Sequence, residues 1–153
     1  MNQPDSLPAY YDDLALSFEE AWGHITAGVT NRNSPSHMPV IGTVDAFGAP
    51  QMRIMILRNV SREERTLRFH TDTRSTKTEQ LHHNAATSVL IYDPAAKVQI
   101  RISGKTQFSS QGDVANTAWS TSTPFARRCY MAEAAPGTPI AEPSSGLPTW
   151  IEG

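Results

Sequence analysis

The chain has 153 residues, 13 basic and 15 acidic side chains, five His and one Cys, for a formal net charge of −2. That length is one domain, expected to bury ~70% of its unfolded surface without needing disulfides or a structural metal. A lone Cys excludes an internal disulfide, and no apolar run approaches the ~20 residues that cross a bilayer.

No cationic stretch followed by an apolar run opens the sequence, so the expectation is a soluble, cytoplasmic protein without a membrane partner. Charge is spread unevenly. Residues 1–52 hold six acids and one base, residues 53–105 ten bases and five acids, and residues 106–153 two bases and four acids. The basic middle third either attracts an anion or forms an ordinary solvated surface.

From Tyr11 to about Val29, apolar Leu14, Phe18, Ala21, Trp22 and Ile25 fall on one helical stripe, followed by an Asn-, Ser- and Pro-rich loop over 30–39. Val40–Val44 is β-rich, 45–50 is a turn, and Gln51–Leu57 is a second strand in which Met52, Ile54 and Ile56 share one face. A polar connection leads to a strand over Thr66–Thr71 with Leu67 and Phe69 inward. A short helix over Thr76–His83, a strand over Thr87–Tyr92, a turn at 93–96 and a long strand over Lys97–Phe108 follow. Helices are expected around Val114–Trp119 and Phe125–Met131, and beyond them Pro136, Pro139, Pro143 and Pro148 preclude regular structure. Antiparallel strands flanked by helices suggest a small barrel of the mainly β (α+β) class.

The segment 69–79, Phe-His-Thr-Asp-Thr-Arg-Ser-Thr-Lys-Thr-Glu, carries the strongest chemical signal. Thr76 with Glu79 fits a capping box, with Thr73 and Ser75 as further caps, so a helix begins straight after a strand. Arg74 and Lys77 in its first turn oppose the helix dipole unless a phosphate sits there, held by amides, hydroxyls and cations together. Alternatively both side chains point into water. Arg53 interrupts an apolar strand and must reach solvent or pair with an anion. Gln99 and Arg101 share one strand face, which offers donors to a polar heterocycle or simply meets solvent.

The succession Arg53-Ile54-Met55-Ile56-Leu57-Arg58, then Phe69-His70-Thr71, then Ser75-Thr76-Lys77, then Gln99 within Val98–Lys105 resembles the flavin-binding core of the pyridoxamine 5′-phosphate oxidase family. The likeness covers about residues 38–108. It implies an antiparallel six-stranded split β-barrel with flanking helices, over 1–153 as a single domain with a helical, then Pro-rich segment at 109–153. It further implies a homodimer with FMN at the interface. Arg53 and Lys77 would contact the FMN phosphate, with Ser75 and Thr76 nearby. The backbone of Ile54, Met55, Ile56, Leu57 and Arg58 would run along the flavin, lined by His70 and Thr71, and Gln99 would approach from the neighbouring subunit. Arg58 and Arg127 are the candidates for holding an anionic substrate; no catalytic base is named.

The departures from the family pattern are specific. Thr76 replaces a second arginine of the phosphate motif, with Arg74 two residues earlier as a possible substitute. Arg58 replaces the substrate lysine. Trp119, Thr123 and Arg127 align with the substrate-phosphate Tyr, Arg and Ser, and the family's C-terminal strand has no counterpart before Gly153. The expected function is an FMN-dependent oxidoreductase with an unidentified small-molecule substrate or electron donor; the alternative is a non-catalytic FMN-binding protein for storage, sensing or electron transfer.

Three weaker signals are set aside. His82 and His83, with His70 and Cys129, lack paired metal-ligand spacing, and no metal is expected. Cys129 beside Arg127 and Arg128 has no base partner. A nucleic-acid platform needs several exposed aromatics, and residues 53–105 offer only Phe69 and Tyr92.

Overall fold

The computed structural model describes residues 7–152, and its first helix starts at a residue chosen by capping chemistry. Asp13 accepts from the Ala15 and Leu16 amides at 2.8 and 3.0 Å, opening α1 (Leu14–Thr30). Only part of the expected apolar stripe is used. Ile25 and Gly28 are buried and Ala21 and Trp22 half-buried, whereas Leu14 and Phe18 are exposed. Phe18 instead meets the Trp22 ring edge-on and lies under the Arg62 guanidinium, 5.8 Å from its ring centre, while Arg62 pairs with Glu19.

The strands are β1 (Val40–Val44), β2 (Pro50–Ile54), β3 (Leu57–Ser61), β4 (Thr66–Phe69), β5 (Ala86–Asp93) and β6 (Val98–Lys105). Helix α2 (Thr76–His83) separates β4 from β5, and α3 (Asp113–Thr121), α4 (Pro124–Arg128) and α5 (Thr149–Glu152) follow. The fold is thus α+β, with antiparallel sheets and flanking helices. One sheet has the order β2-β1-β5-β6 and the other pairs β3 with β4. No helix among the described residues is long and apolar enough to cross a membrane.

One expectation is overturned. Residues 51–57 do not form a single strand: it breaks at Met55–Ile56, and the face shared by Met52 and Ile54 is the outer one, 74% and 64% exposed. The polar neighbours are the half-buried ones. Gln51 Nε2 donates to Asp45 at 3.1 Å and Arg53 Nη1 to the Ile41 carbonyl at 3.4 Å. Because strand side chains alternate strictly, anchoring Gln51 and Arg53 inward forces the apolar set outward.

The described chain gathers into two compact units, each assembled from three separated stretches. The first holds the stretch ending at Ile41, Arg53–Phe69 and Val89–Ile102. Its core is Ile25, Ile41, Leu57, Val89 and Ile91, with Leu57 wholly buried. Gly28 lets α1 press on the turn Pro35–His37, where a Cβ at position 28 would stand 2.5 Å from both the carbonyl carbon and oxygen of Ser36. His37 Nδ1 donates to the Gly28 carbonyl at 2.7 Å.

The second unit holds Gly42–Met52, His70–Ser88 and the stretch beginning at Ser103. Asp45 organises its β1–β2 turn by accepting from the Phe47 and Ala49 amides at 3.0 and 2.9 Å, and these bonds, that from Ala49 foremost, hold its carboxyl below the usual range. Gly48 supplies the left-handed residue of that turn at φ 85°. Thr43 Oγ1 donates to Gln80 Oε1 at 2.7 Å, tying β1 to α2. The two helices expected near 114–119 and 125–131 are present, although α4 ends at Arg128. The proline-rich remainder is irregular apart from the short α5.

Candidate functional site

The turn from β4 into α2 lies in the second unit. Ser75 occupies the N-cap position, yet no side-chain hydrogen bond caps the helix. The Ser75 hydroxyl instead donates to the Asp72 carbonyl at 2.8 Å and lies 3.1 Å from Thr78 Oγ1. The capping box expected from Thr76 and Glu79 is therefore not formed. Thr76 is already the first helical residue, which puts Glu79 one position too far along to reach back to the cap.

Lys77 Nζ donates to Thr71 Oγ1 at 3.1 Å, and Thr71 Oγ1 is 3.4 Å from Ser75 Oγ. An ammonium and two hydroxyls thus gather beside a helix start that no side chain caps. A cation there is unfavourable to the helix alone, and a phosphate reverses the sign.

Arg74 does not join this group. Its Nε and Nη2 contact the Asp72 carboxylate at 3.0 and 2.7 Å, and its Nη1 donates to the Ala132 carbonyl at 3.0 Å. The Arg74 hydrogen bond is the main cause holding the Asp72 carboxyl below its usual range, and it pushes the guanidinium further up in return. Arg74 as a stand-in for the missing phosphate arginine is thereby corrected: its charge is already matched. Asp72 escaped the sequence reading, although Asp-x-Arg directly after a strand is a recognisable signal for an Asx turn, here closed by the Arg74 amide at 2.8 Å.

The other expected residues belong to the first unit. Arg53 is half-buried, and burial lowers its pKa from the ordinary value while leaving it charged. Ile54 and Ile56 are exposed, and the Met55 amide donates to the Pro39 carbonyl at 3.2 Å. Leu57 pairs with Phe69 and Asn59 with Arg68, so Arg58 is the extra residue of a β-bulge, a device that re-aims a side chain; here it leaves Arg58 exposed.

Gln99 and Arg101 are exposed on β6 while Val98, Ile100 and Ile102 are half-buried, the alternation expected from sequence. Residues 98–101 line a cavity of about 380 Å³ together with Tyr10, Ser17, Glu20 and Ala21. In the second unit His70 and Thr71 are half-buried and Thr76 is exposed.

Arg127 donates from Nε to the Trp119 carbonyl at 3.0 Å and from Nη2 to the Ser120 carbonyl at 2.9 Å, with its guanidinium 5.2 Å from the Trp119 ring centre. The proposed substrate arginine is engaged in closing the α3–α4 junction. His82 stacks on Phe108 at 4.8 Å, and among the described residues no group of three or more His, Cys, Asp or Glu is arranged to hold a metal.

The fold is antiparallel α+β, and its strand-to-helix turn gathers the groups a phosphate requires. Residues 19–110 match the family model described as pyridoxamine 5′-phosphate oxidase, FMN-binding domain, and the chain belongs to that family. It is 32% identical over 110 residues to the pyridoxine/pyridoxamine 5′-phosphate oxidase of Shewanella woodyi, covering 72% of this chain and 48% of that protein. It thus spans about half the length of that relative. A crystal structure of a pyridoxamine 5′-phosphate oxidase-related, FMN binding protein from Nostoc punctiforme superposes with a TM-score of 0.66 at 24% identity, covering 92% of this chain and 71% of that one. PhzG from Burkholderia lata, solved with tetrahydrophenazine-1-carboxylic acid, gives 0.67 at 20% identity, covering 91% and 68%. These two likenesses show the fold, that of the split-barrel FMN-binding proteins. The chain is an FMN-binding member of its family, and the turn's ammonium, hydroxyls and uncapped helix start fit a phosphate monoester.

Proposed function

We propose that this chain is an FMN-dependent oxidoreductase domain acting on an unidentified small molecule. The observation that carries the reading is Lys77 Nζ held 3.1 Å from Thr71 Oγ1 beside the uncapped start of α2. In this assignment Lys77 and Arg53 contact the FMN phosphate, with Ser75 and Thr76 nearby. The Ile54–Arg58 backbone, His70, Thr71 and Gln99 serve the ring system. When bound, FMN supplies the two-electron redox chemistry, while the protein supplies affinity, orientation and exclusion of water. Arg58, exposed by its bulge, is assigned to an anionic substrate group.

The reading extends to a cytoplasmic homodimer. Exposed apolar Ile54, Ile56, Leu90 and Tyr92 of the first unit support a second copy as the cover, with Gln99 then presented to the partner's flavin. Residues 1–153 are read as one domain, because each unit is stitched from three separated stretches.

A second reading, FMN binding without efficient turnover, is favoured by Arg127, whose donors face carbonyls of its own chain. Flavin absorbance of the purified protein and quenching of FMN fluorescence on titration test the shared part, and absence of saturable FMN binding refutes it. Bleaching of bound flavin by a nicotinamide donor or by pyridoxamine phosphate, followed by reoxidation in air over many turnovers, supports the enzyme. A flavin that binds and does not turn over with any donor supports the second reading.

A further inference from the structure

Arg74 sits within the phosphate motif but faces away from the group gathered there, and its contacts assign it another task. Five N–H groups leave a guanidinium, and here they meet a carboxylate on one side and a run of backbone carbonyls on the other. Nε and Nη2 hold Asp72; Nη1 donates to the carbonyls of Ala132 at 3.0 Å and Glu133 at 3.4 Å; Nη2 also reaches that of Tyr130 at 3.4 Å. All of these residues lie in the second unit. The carbonyls follow directly on α4, so the chain leaving that helix is fastened through one side chain to the turn that starts α2. The same segment is closed on itself by the Glu133 amide, which donates to the Gly146 carbonyl at 2.9 Å.

Asp72 gives the clamp a second consequence. Its side chain is 9% exposed, and its backbone carbonyl accepts from the hydroxyl of Ser75, the buried N-cap residue of the turn proposed to receive the phosphate. Left unpaired, this carboxylate would repel a dianion close by. Arg74 cancels that charge without presenting a competing cation to the turn.

We propose that Arg74 is a positioning residue that couples the Tyr130–Glu133 segment to the phosphate-receiving turn. Filling the turn with FMN then tightens the segment, and fastening the segment tightens FMN by the same factor, as linkage requires. This coupling rests on the FMN reading above, whereas the clamp does not. Lysine at position 74 satisfies Asp72 and lacks the fork needed for several carbonyls, which separates the two roles.

The test uses the full chain as wild type, R74A, R74K and R74A/D72N, each first shown by circular dichroism to be folded. Limited proteolysis without FMN reads the clamp: cleavage within residues 129–147 is expected to be about tenfold faster in R74A and nearly as fast in R74K, by analogy with local opening in other proteins. Fluorescence titration reads the coupling. FMN is expected to bind R74A about tenfold more weakly, a loss of about 1.4 kcal/mol, with R74K and R74A/D72N each recovering the part due to the uncancelled charge. FMN is also expected to protect the segment in wild type and not in R74A.

Equal apo cleavage of wild type and R74A overturns the clamp. Equal FMN affinity of the two, with wild type binding FMN normally, overturns the coupling and leaves the FMN assignment intact. Failure of wild type itself to bind FMN overturns the functional reading, and the coupling with it, while the apo cleavage comparison still decides the clamp. If R74A does not fold, R74K decides: cleavage and affinity like wild type overturn the proposal, and faster cleavage supports it.

Discussion

Two glycines in α1 predict opposite responses to the same substitution. A Cβ at Gly28 would lie 2.5 Å from the Ser36 carbonyl carbon and oxygen and 2.7 Å from its Cβ, whereas a Cβ at Gly23 meets nothing within 4 Å. Contacts between carbon atoms settle near ~3.5–4.0 Å, so alanine at 28 must open the gap to the Pro35–His37 turn by about 1 Å. That turn cannot yield easily, since Ser36 and Pro39 are fully buried and His37 is hydrogen-bonded to the Gly28 carbonyl itself.

Overpacking of this kind costs ~1–3 kcal/mol, and loss of the His37 bond adds ~1. Replacing glycine by alanine in a helix returns ~1 kcal/mol. G28A is therefore expected to lose about 1–3 kcal/mol net, and G23A to gain about 0.5–1 from the propensity term alone. With a urea m-value of ~1–3 kcal/mol/M, the two midpoints separate by roughly 0.5–4 M. Equilibrium urea unfolding followed by circular dichroism measures both. A G28A midpoint at or above wild type refutes the packing argument, and equal losses in both variants refute the distinction between them.

K77A is expected to weaken FMN binding about ten- to a hundredfold, the worth of one hydrogen bond to a charged group, and R53A to weaken it in the same direction; equilibrium fluorescence titration reads both, and unchanged affinity in K77A removes the phosphate assignment. L57A removes a wholly buried side chain and should cost about 2–5 kcal/mol in urea unfolding. The carboxyls of Asp45 and Asp72 are both depressed by hydrogen bonding. Their contribution is therefore complete above the ordinary aspartate range near pH 4 and is lost as pH falls through the still lower folded values. Melting temperatures measured from pH 7 down to 3 should fall more steeply in wild type than in the D45N/D72N double variant, and parallel profiles would contradict this. Ile54→Glu together with Leu90→Lys should halve the mass seen by light scattering if the exposed apolar residues of the first unit form the homodimer; an unchanged mass argues against that face.

The element order was legible because period-2 and helical spacing are local properties. Val98, Ile100 and Ile102 turned inward as their alternation predicted, since nothing polar on that strand competed for the interior. Met52, Ile54 and Ile56 show the limit. Periodicity finds two faces but not which one is buried, and here Gln51 and Arg53 are drawn inward by an aspartate six residues back and a carbonyl on another strand. The strand-to-helix junction that gathers Ser75, Thr76 and Lys77 was legible from composition, and its assignment to a phosphate is the proposal made above. The role of Arg74 was not legible, because its partners at 130–133 lie more than fifty residues away, and no local pattern announces that a cation is already spoken for. The contacts of Arg127 are nearer, seven and eight residues back, but a run of Trp and Ser does not announce that their carbonyls accept from it.

The interleaving of the two units bears on how the chain is made. The core of the first unit joins Ile25 of α1 to Val89 and Ile91 of β5 and draws on Ile100 and Ile102 of β6. At ~5–20 residues per second, a ribosome needs about 4–15 s to progress from the end of α1 to Ile102. By then the Pro35–His37 turn, Ile41 and Leu57 have long been available to Trp22, Ile25 and Val29, and β5 and β6 are the last part of their native surface to arrive. The core of the first unit can therefore close only once β6 has emerged, whatever order its earlier parts assemble in.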